Sequence, residues 1–406
     1  VDTIHSMLRA ALLLAMSIGL VSCGGGGSDA PPAAPAAPDD FGAELVSRVA
    51  RSGVAGTWGY VAPDGSRYAL MGTAAGVLVL DLRDPVHPRV VDEVAGPTNT
   101  SSPGIYWREM RVYGSHAYVV SEHTNLRGGI MILDLSDLPA TVRYVRSVVP
   151  NDGLLAAHTV DIDVARGLLY LQRESNRAAP SSMPSLRQAR PLHGGTQKPE
   201  HPVGDPTNGS IEVWDLAADP ENPRYVTTFN QHRSVHDMTA VGDHVYVAEG
   251  NASSYSVWDV RDPRSPQLVV RWSVEAGRFT HNIWPSGDGS FVVTTEEIPT
   301  GLPARVWQLN GSARPTLLAE FKVGTGTPHN VVMEGRMAYL SHYTEGAVAV
   351  DLADPAAPEV VAKFDTNPDE GSSLSGCWGI YKFPGEPLMI CSDIDQGFHL
   401  IRLTPS

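Results

Sequence analysis

The sequence predicts an all-β protein: a seven-bladed β-propeller of four-stranded blades, its ring closed by an N-terminal strand that completes the last blade. Three observations predict it. A hairpin pattern recurs seven times from about residue 56 onward. Most copies continue into a third strand that ends in Asp, then a Pro-containing turn and a fourth strand. The copies follow one another at about fifty residues with no convincing helix between them, which is the period of propeller blades.

In chain order, residues 1–22 read as an export signal whose true start is Met7. "MLRAALLLAMSIGLVSC" carries one Arg, an apolar stretch too short to span a membrane comfortably, and then Leu20-Val21-Ser22-Cys23. Those last four residues are similar to the bacterial lipobox, which makes Cys23 the expected lipidation site. Residues 23–42 hold that Cys and a Gly/Pro/Ala linker, which is a flexible tether. The propeller is expected over 43–406, with a polar insertion at about 176–208 in blade three.

The seven units begin at "TWGYVAPDGSRYALMG", "WREMRVYGSHAYVVSE", "AHTVDIDVARGLLYLQRE", "VHDMTAVGDHVYVAEG", "THNIWPSGDGSFVVTTEE", "PHNVVMEGRMAYLSHY" and "CWGIYKFPGEPLMICSD". Each turns at Gly or Asp-Gly and returns through a β-rich run, as a hairpin does. The last unit stops at "GFHLIRLTPS" without a fourth strand, and "AELVSRVARSG" precedes the first unit. Pairing the two removes an exposed sheet edge. The Asp that ends each third strand (Asp81, Asp134, Asp215, Asp259, Asp351) is read as a turn residue bonding nearby amides.

The chain has 406 residues and a formal charge of −15, which argues against a nucleic-acid partner because phosphate binding needs a basic surface. Besides Cys23 there are Cys377 and Cys391, on either side of a hairpin that turns near Pro384-Gly385. A cross-strand disulfide and two buried thiols are both compatible with that spacing.

The recurring His-Asn and His-Asp pairs carry the functional question. Counting outward from each turn sets His236 opposite Glu249, His281 opposite Glu296, His329 opposite His342, and His158 near Glu174; the second unit offers Arg108 with Glu122. First strands line a propeller's channel, so His158, His236, His281 and His329 should form an arc at one channel mouth, with Trp58, Arg108 and Trp378 completing the ring. The loops Gly96 to Tyr106, the blade-three insertion and Asp365 to Gly376 are expected on that same face. In one reading the histidines cap strand starts and pack between blades. In the other, neutral imidazoles bind a transition metal (Fe, Cu or Zn), with carboxylates fixing their tautomers.

The stretches "WREMRVYGSHAYVV", "AHTVDID", "SVHDM", "THNIWPSGDGSFVVTTEE", "PHNVVMEGRMAYLSHYTEGAVAVDLADP" and "GCWGIYKFPGEPLMICSDIDQGFHLIRL" resemble the LVIVD-repeat propellers, and among them the choice-of-anchor B surface proteins. The resemblance implies a surface-attached propeller without an established activity. Together with the N-terminus it leads to one expectation: an exported, monomeric β-propeller, lipid-anchored to a bacterial cell envelope and facing periplasm or cell exterior. Its long-loop face would bind a protein or glycan ligand. The alternative is a metal-dependent oxidoreductase or hydrolase built on the histidine ring.

Overall fold

The computed structural model describes residues 40–97, 107–122, 126–174, 209–368 and 374–404, all within the unit Pro38–Ser406. The expected signal, Cys23 and the blade-three insertion lie outside the described residues. Among the described residues no helix is long and apolar enough to cross a membrane.

The chain forms seven four-stranded antiparallel sheets. A first strand, β1 (Ala43–Ala50), is set aside for the last blade. Blade one is β2 (Val54–Val61), β3 (Arg67–Thr73), β4 (Gly76–Asp81) and β5 (Arg89–Ala95). Blade two is β6 (Arg108–Tyr113), β7 (His116–Ser121), β8 (Ile130–Asp134) and β9 (Arg143–Val148). Blade three is β10 (Val160–Asp163), β11 (Leu168–Glu174), β12 (Gly209–Asp215) and β13 (Arg224–His232). Blade four is β14 (Asp237–Val241), β15 (His244–Ala248), β16 (Ser254–Asp259) and β17 (Gln267–Ser273). Blade five is β18 (Phe279–Pro285), β19 (Phe291–Ile298), β20 (Ala304–Asn310) and β21 (Ala313–Phe321). Blade six is β22 (Val331–Glu334), β23 (Met337–Ser341), β24 (Ala347–Asp351) and β25 (Glu359–Phe364). Blade seven is β26 (Cys377–Lys382), β27 (Leu388–Asp393) and β28 (Gly397–Leu403), with β1 pairing β28 as its outer strand.

The first strands meet around a closed cycle, β2 to β6, β10, β14, β18, β22, β26 and back to β2. That cycle makes the seven sheets a ring, and β1 on β28 leaves no blade short of a strand. The core is correspondingly divided. One apolar layer lies at each blade junction, for example Leu70, Val79, Met110 and Val119 between blades one and two, and Phe398, Leu400, Leu78 and Leu80 between blades seven and one. Alternation along a strand supplies both neighbours: Ala338 and Leu340 of β23 face blade five, whereas Tyr339 faces blade seven. Each fully buried side chain of this kind contributes roughly 1.5–3 kcal/mol.

The Asp residues ending third strands accept from the backbone two residues on. Oδ1 of Asp81, Asp134, Asp215, Asp259 and Asp351 takes the N–H of Arg83, Ser136, Ala217, Arg261 and Ala353 at 2.7–3.0 Å. These are Asx turns that aim the chain into the fourth strand. Cys377 and Cys391 are joined by a disulfide between β26 and β27.

Candidate functional site

Histidines from four successive blades are stacked side by side at the starts of the first strands. Ring centroids are 4.5 Å apart for His158 and His236, 4.3 Å for His236 and His281, and 3.9 Å for His281 and His329. The file continues through Trp378, 4.8 Å from His329, to Trp107, stacked on Trp378 at 5.6 Å. All four histidines are buried. The residue after each one turns to the opposite side, as strand alternation requires, which explains the His-Asn and His-Asp pairs. Asp237 and Asn282 line a cavity enclosed by first strands, and so does Asn330.

Hydrogen bonds settle the tautomers. His329 Nδ1 lies 2.6 Å from the Trp378 carbonyl oxygen and His236 Nδ1 lies 2.9 Å from that of His281. A carbonyl only accepts, so both Nδ1 atoms carry a proton. Burial, followed by repulsion from His158, lowers the His236 pKa to about 4, so that ring is neutral at ordinary pH. His158 differs. Burial opposes its charge, but the Glu122 carboxylate 2.8 Å from Nδ1, with Glu109 and Asp237 beyond it, raises its pKa.

His281, His329 and Glu297 each offer a ligand atom, and these atoms lie within 4.8 Å of one another. His329 Nε2 is 3.7 Å from Glu297 Oε1, and that oxygen accepts the Tyr343 hydroxyl at 2.5 Å. Two imidazoles and a carboxylate, all buried, form a donor set that suits a first-row transition metal. A second cluster, His116, Asp134 and Glu221, is less buried and already holds Arg143, which donates to Asp134 and Glu221.

Several expected partners are corrected, and the causes are local. Hairpin counting holds in blade five from Pro285–Val292 up to Asn282–Thr295. His281 is then the extra residue of a β-bulge, and Glu296 pairs with Thr280. Glu296 therefore turns away to Arg278 at 3.1 Å, Arg305 at 3.5 Å and the Tyr255 hydroxyl, and Glu297 comes to the histidines. In blade six His342 is in register with His329, yet its Nδ1 makes no hydrogen bond and its ring is buried. Tyr343, held at a left-handed φ of 42°, is the residue that reaches His329, at 4.7 Å.

Glu249 stands opposite His236 but its carboxylate takes Arg271 at 2.9 Å and the Ser254 and Ser256 hydroxyls. In blade three Val160 pairs with Leu171, one residue short of the register that would bring Glu174 to His158. Glu174 pairs instead with Gly209, and its side chain lies outside the described residues. Glu122 serves His158 across the blade junction rather than Arg108, which pairs with Ser121 and donates to the Pro97 and Ala74 carbonyls. Burial lowers the Arg108 pKa to about 10. Trp58 lies off the histidine file, 4.8 Å from Tyr381 and beneath the Arg111 guanidinium at 4.1 Å. Glu297, Tyr343 and Trp107 were missed. Tyr343 follows His342 immediately and Glu297 follows Glu296, so only the bulge and the positive φ select them.

No protein-family model matches the chain, and no curated protein sequence matches it. Solved structures do. Raptor of Chaetomium thermophilum aligns at 10% identity and a TM-score of 0.60 over 89% of this chain, which spans only 29% of Raptor. U3-55K aligns at 10% identity and 0.59, covering 89% of this chain and 98% of that one. The β-propeller domain of Cps50 (Swd1) from Myceliophteria thermophila aligns at 10% identity and 0.56, covering 89% and 100%. The expected address in a bacterial cell envelope is corrected: the propellers that the chain is similar to are named as Raptor, U3-55K, RRP9 and Cps50, none as an envelope lipoprotein, and the likeness extends to the fold alone. The choice-of-anchor B resemblance likewise reduces to the fold. At this identity the chain is similar to these proteins as a seven-bladed propeller.

Proposed function

We propose that this propeller is a transition-metal-dependent enzyme whose metal is held by His281, His329 and Glu297, with His236 next in the file. The observation that carries this reading is the convergence of three buried ligand atoms within 4.8 Å, drawn from two blades. Backbone carbonyls support it by holding the Nδ1 protons of His236 and His329, which makes Nε2 the ligand atom each ring would offer. Tyr343 orients the carboxylate through its hydroxyl. A bound zinc would supply Lewis acidity and an activated water, whereas iron or copper would supply redox chemistry. The chain's own residues exclude bulk water: Trp378, Trp107 and Phe279 pack against the file.

The test is metal analysis of protein purified without a histidine tag, comparing the parent with His236→Ala and His281→Ala. One transition metal per chain, lost in His281→Ala, is the expected result. Substoichiometric metal unchanged by both substitutions would refute the reading. It would leave the propeller as a platform for a protein or glycan ligand, the use that a rigid ring of blades otherwise supports.

A further inference from the structure

Beneath the histidine file lies a second polar feature that the metal reading does not use. A cavity of ≈ 20 Å³, measured for the centre of a water-sized sphere, is lined from six of the seven blades. That is room for an ion or a water and too little for an organic substrate. Its polar lining includes Glu109, Arg111, Asp237 and Asn282.

We infer that this axial cavity holds a hard divalent cation of the calcium class on the oxygens of Glu109, Asp237 and Asn282. Charge is the first argument. Glu109, Asp161 and Asp237 are three carboxylates at least nine-tenths buried, and Arg111 is the cation among them. Its Nε donates to Asp161 at 2.7 Å and its Nη1 to Glu109 at 3.2 Å. One guanidinium stands against three buried carboxylates, the buried His158 ring is the other nearby group able to carry positive charge, and carboxylates left in excess are costly to bury. A divalent cation would balance them.

Asn282 is the second, independent argument. Its Nδ2 donates to Asp237 Oδ2 at 2.5 Å, which fixes the amide's orientation because a carboxylate only accepts. Oδ1 is then the remaining group, buried and without a hydrogen-bond partner, in a side chain 3% exposed that lines the cavity. An orphan acceptor beside two carboxylates asks for a positive ligand. Thr159 and the Met238 N–H hold Asp237 from the other side, at 2.9 and 2.7 Å, so the carboxylate is positioned in advance. Carboxylate and amide oxygens without nitrogen or sulfur select hard cations, in contrast to the imidazoles above.

Chelator-treated protein titrated calorimetrically with calcium chloride, and separately with magnesium chloride, tests this. The expected result is saturable binding of one calcium per chain with a raised melting temperature. Asn282→Leu and Asp237→Asn should each weaken it by about tenfold or more, with circular dichroism verifying the fold. His281→Ala should leave calcium binding intact, which separates this site from the transition-metal site. No saturable binding of either cation to the parent would overturn the inference. So would calcium binding unchanged in folded Asn282→Leu, or binding abolished by His281→Ala.

Discussion

Replacing His342 with Leu should flatten the acid sensitivity of the fold by a calculable amount. His342 is 1% exposed, its Nδ1 has no hydrogen-bond partner, and burial lowers its pKa from 6.5 to about 4. At about pH 7.5 the ring is neutral in both the folded and the unfolded chain and contributes nothing to the pH dependence. As the pH falls through 6.5, the unfolded chain takes up a proton that the folded chain refuses. Stability is therefore lost between 6.5 and 4 and levels off below. For a shift of that size the loss at about pH 4.5 is about 2–3 kcal/mol. His399, also lowered to about 4 by burial, adds a similar loss in the parent. Asp393 and Glu109, raised to about 6 and about 7 by burial, act in the opposite direction. These contributions cancel when His342→Leu is compared with the parent. Urea unfolding of both proteins at about pH 7.5 and 4.5 should show the variant losing about 2–3 kcal/mol less between them. Dependences on pH that agree within about 1 kcal/mol would refute a buried, neutral imidazole at this position.

Two further outcomes follow from the same geometry. Glu296→Gln removes a fully buried carboxylate from its ion pairs with Arg278 and Arg305 and should cost about 3 kcal/mol or more in urea unfolding without loss of bound metal. Glu297→Gln should lose metal at a smaller cost in stability, and the reverse order would mean that the bulge at His281 is misassigned. Cys377→Ser should destabilise by about 3 kcal/mol, because the bridge closes a loop with a separation of 14 residues. The same loss should appear in the parent on full reduction, and an unfolding midpoint insensitive to reductant would contradict it.

The architecture was legible because a propeller is written as a repeat. Seven hairpins, the strand-ending Asp residues and the unpaired ends "AELVSRVA" and "GFHLIRL" each report local geometry, and the sheets follow them. The four histidines were legible for the same reason, since equivalent positions in successive blades come together around the ring. Hairpin counting also placed Glu249 opposite His236 correctly. It could not show that Arg271, two strands away, would claim the carboxylate.

What the sequence by itself determined is the period: which residues start each first strand, and so which histidines share an edge of the disc. The partners were decided only in the tertiary structure. Register shifts at His281 and at Glu297 exchange Glu296 for Glu297, a left-handed residue brings Tyr343 rather than its neighbour, and Glu122 reaches His158 from another blade. Side chains alternate with a period of two, so a single inserted residue reverses every direction beyond it. The closed ring then joins groups that sequence distance keeps apart, such as His329 and the Trp378 carbonyl.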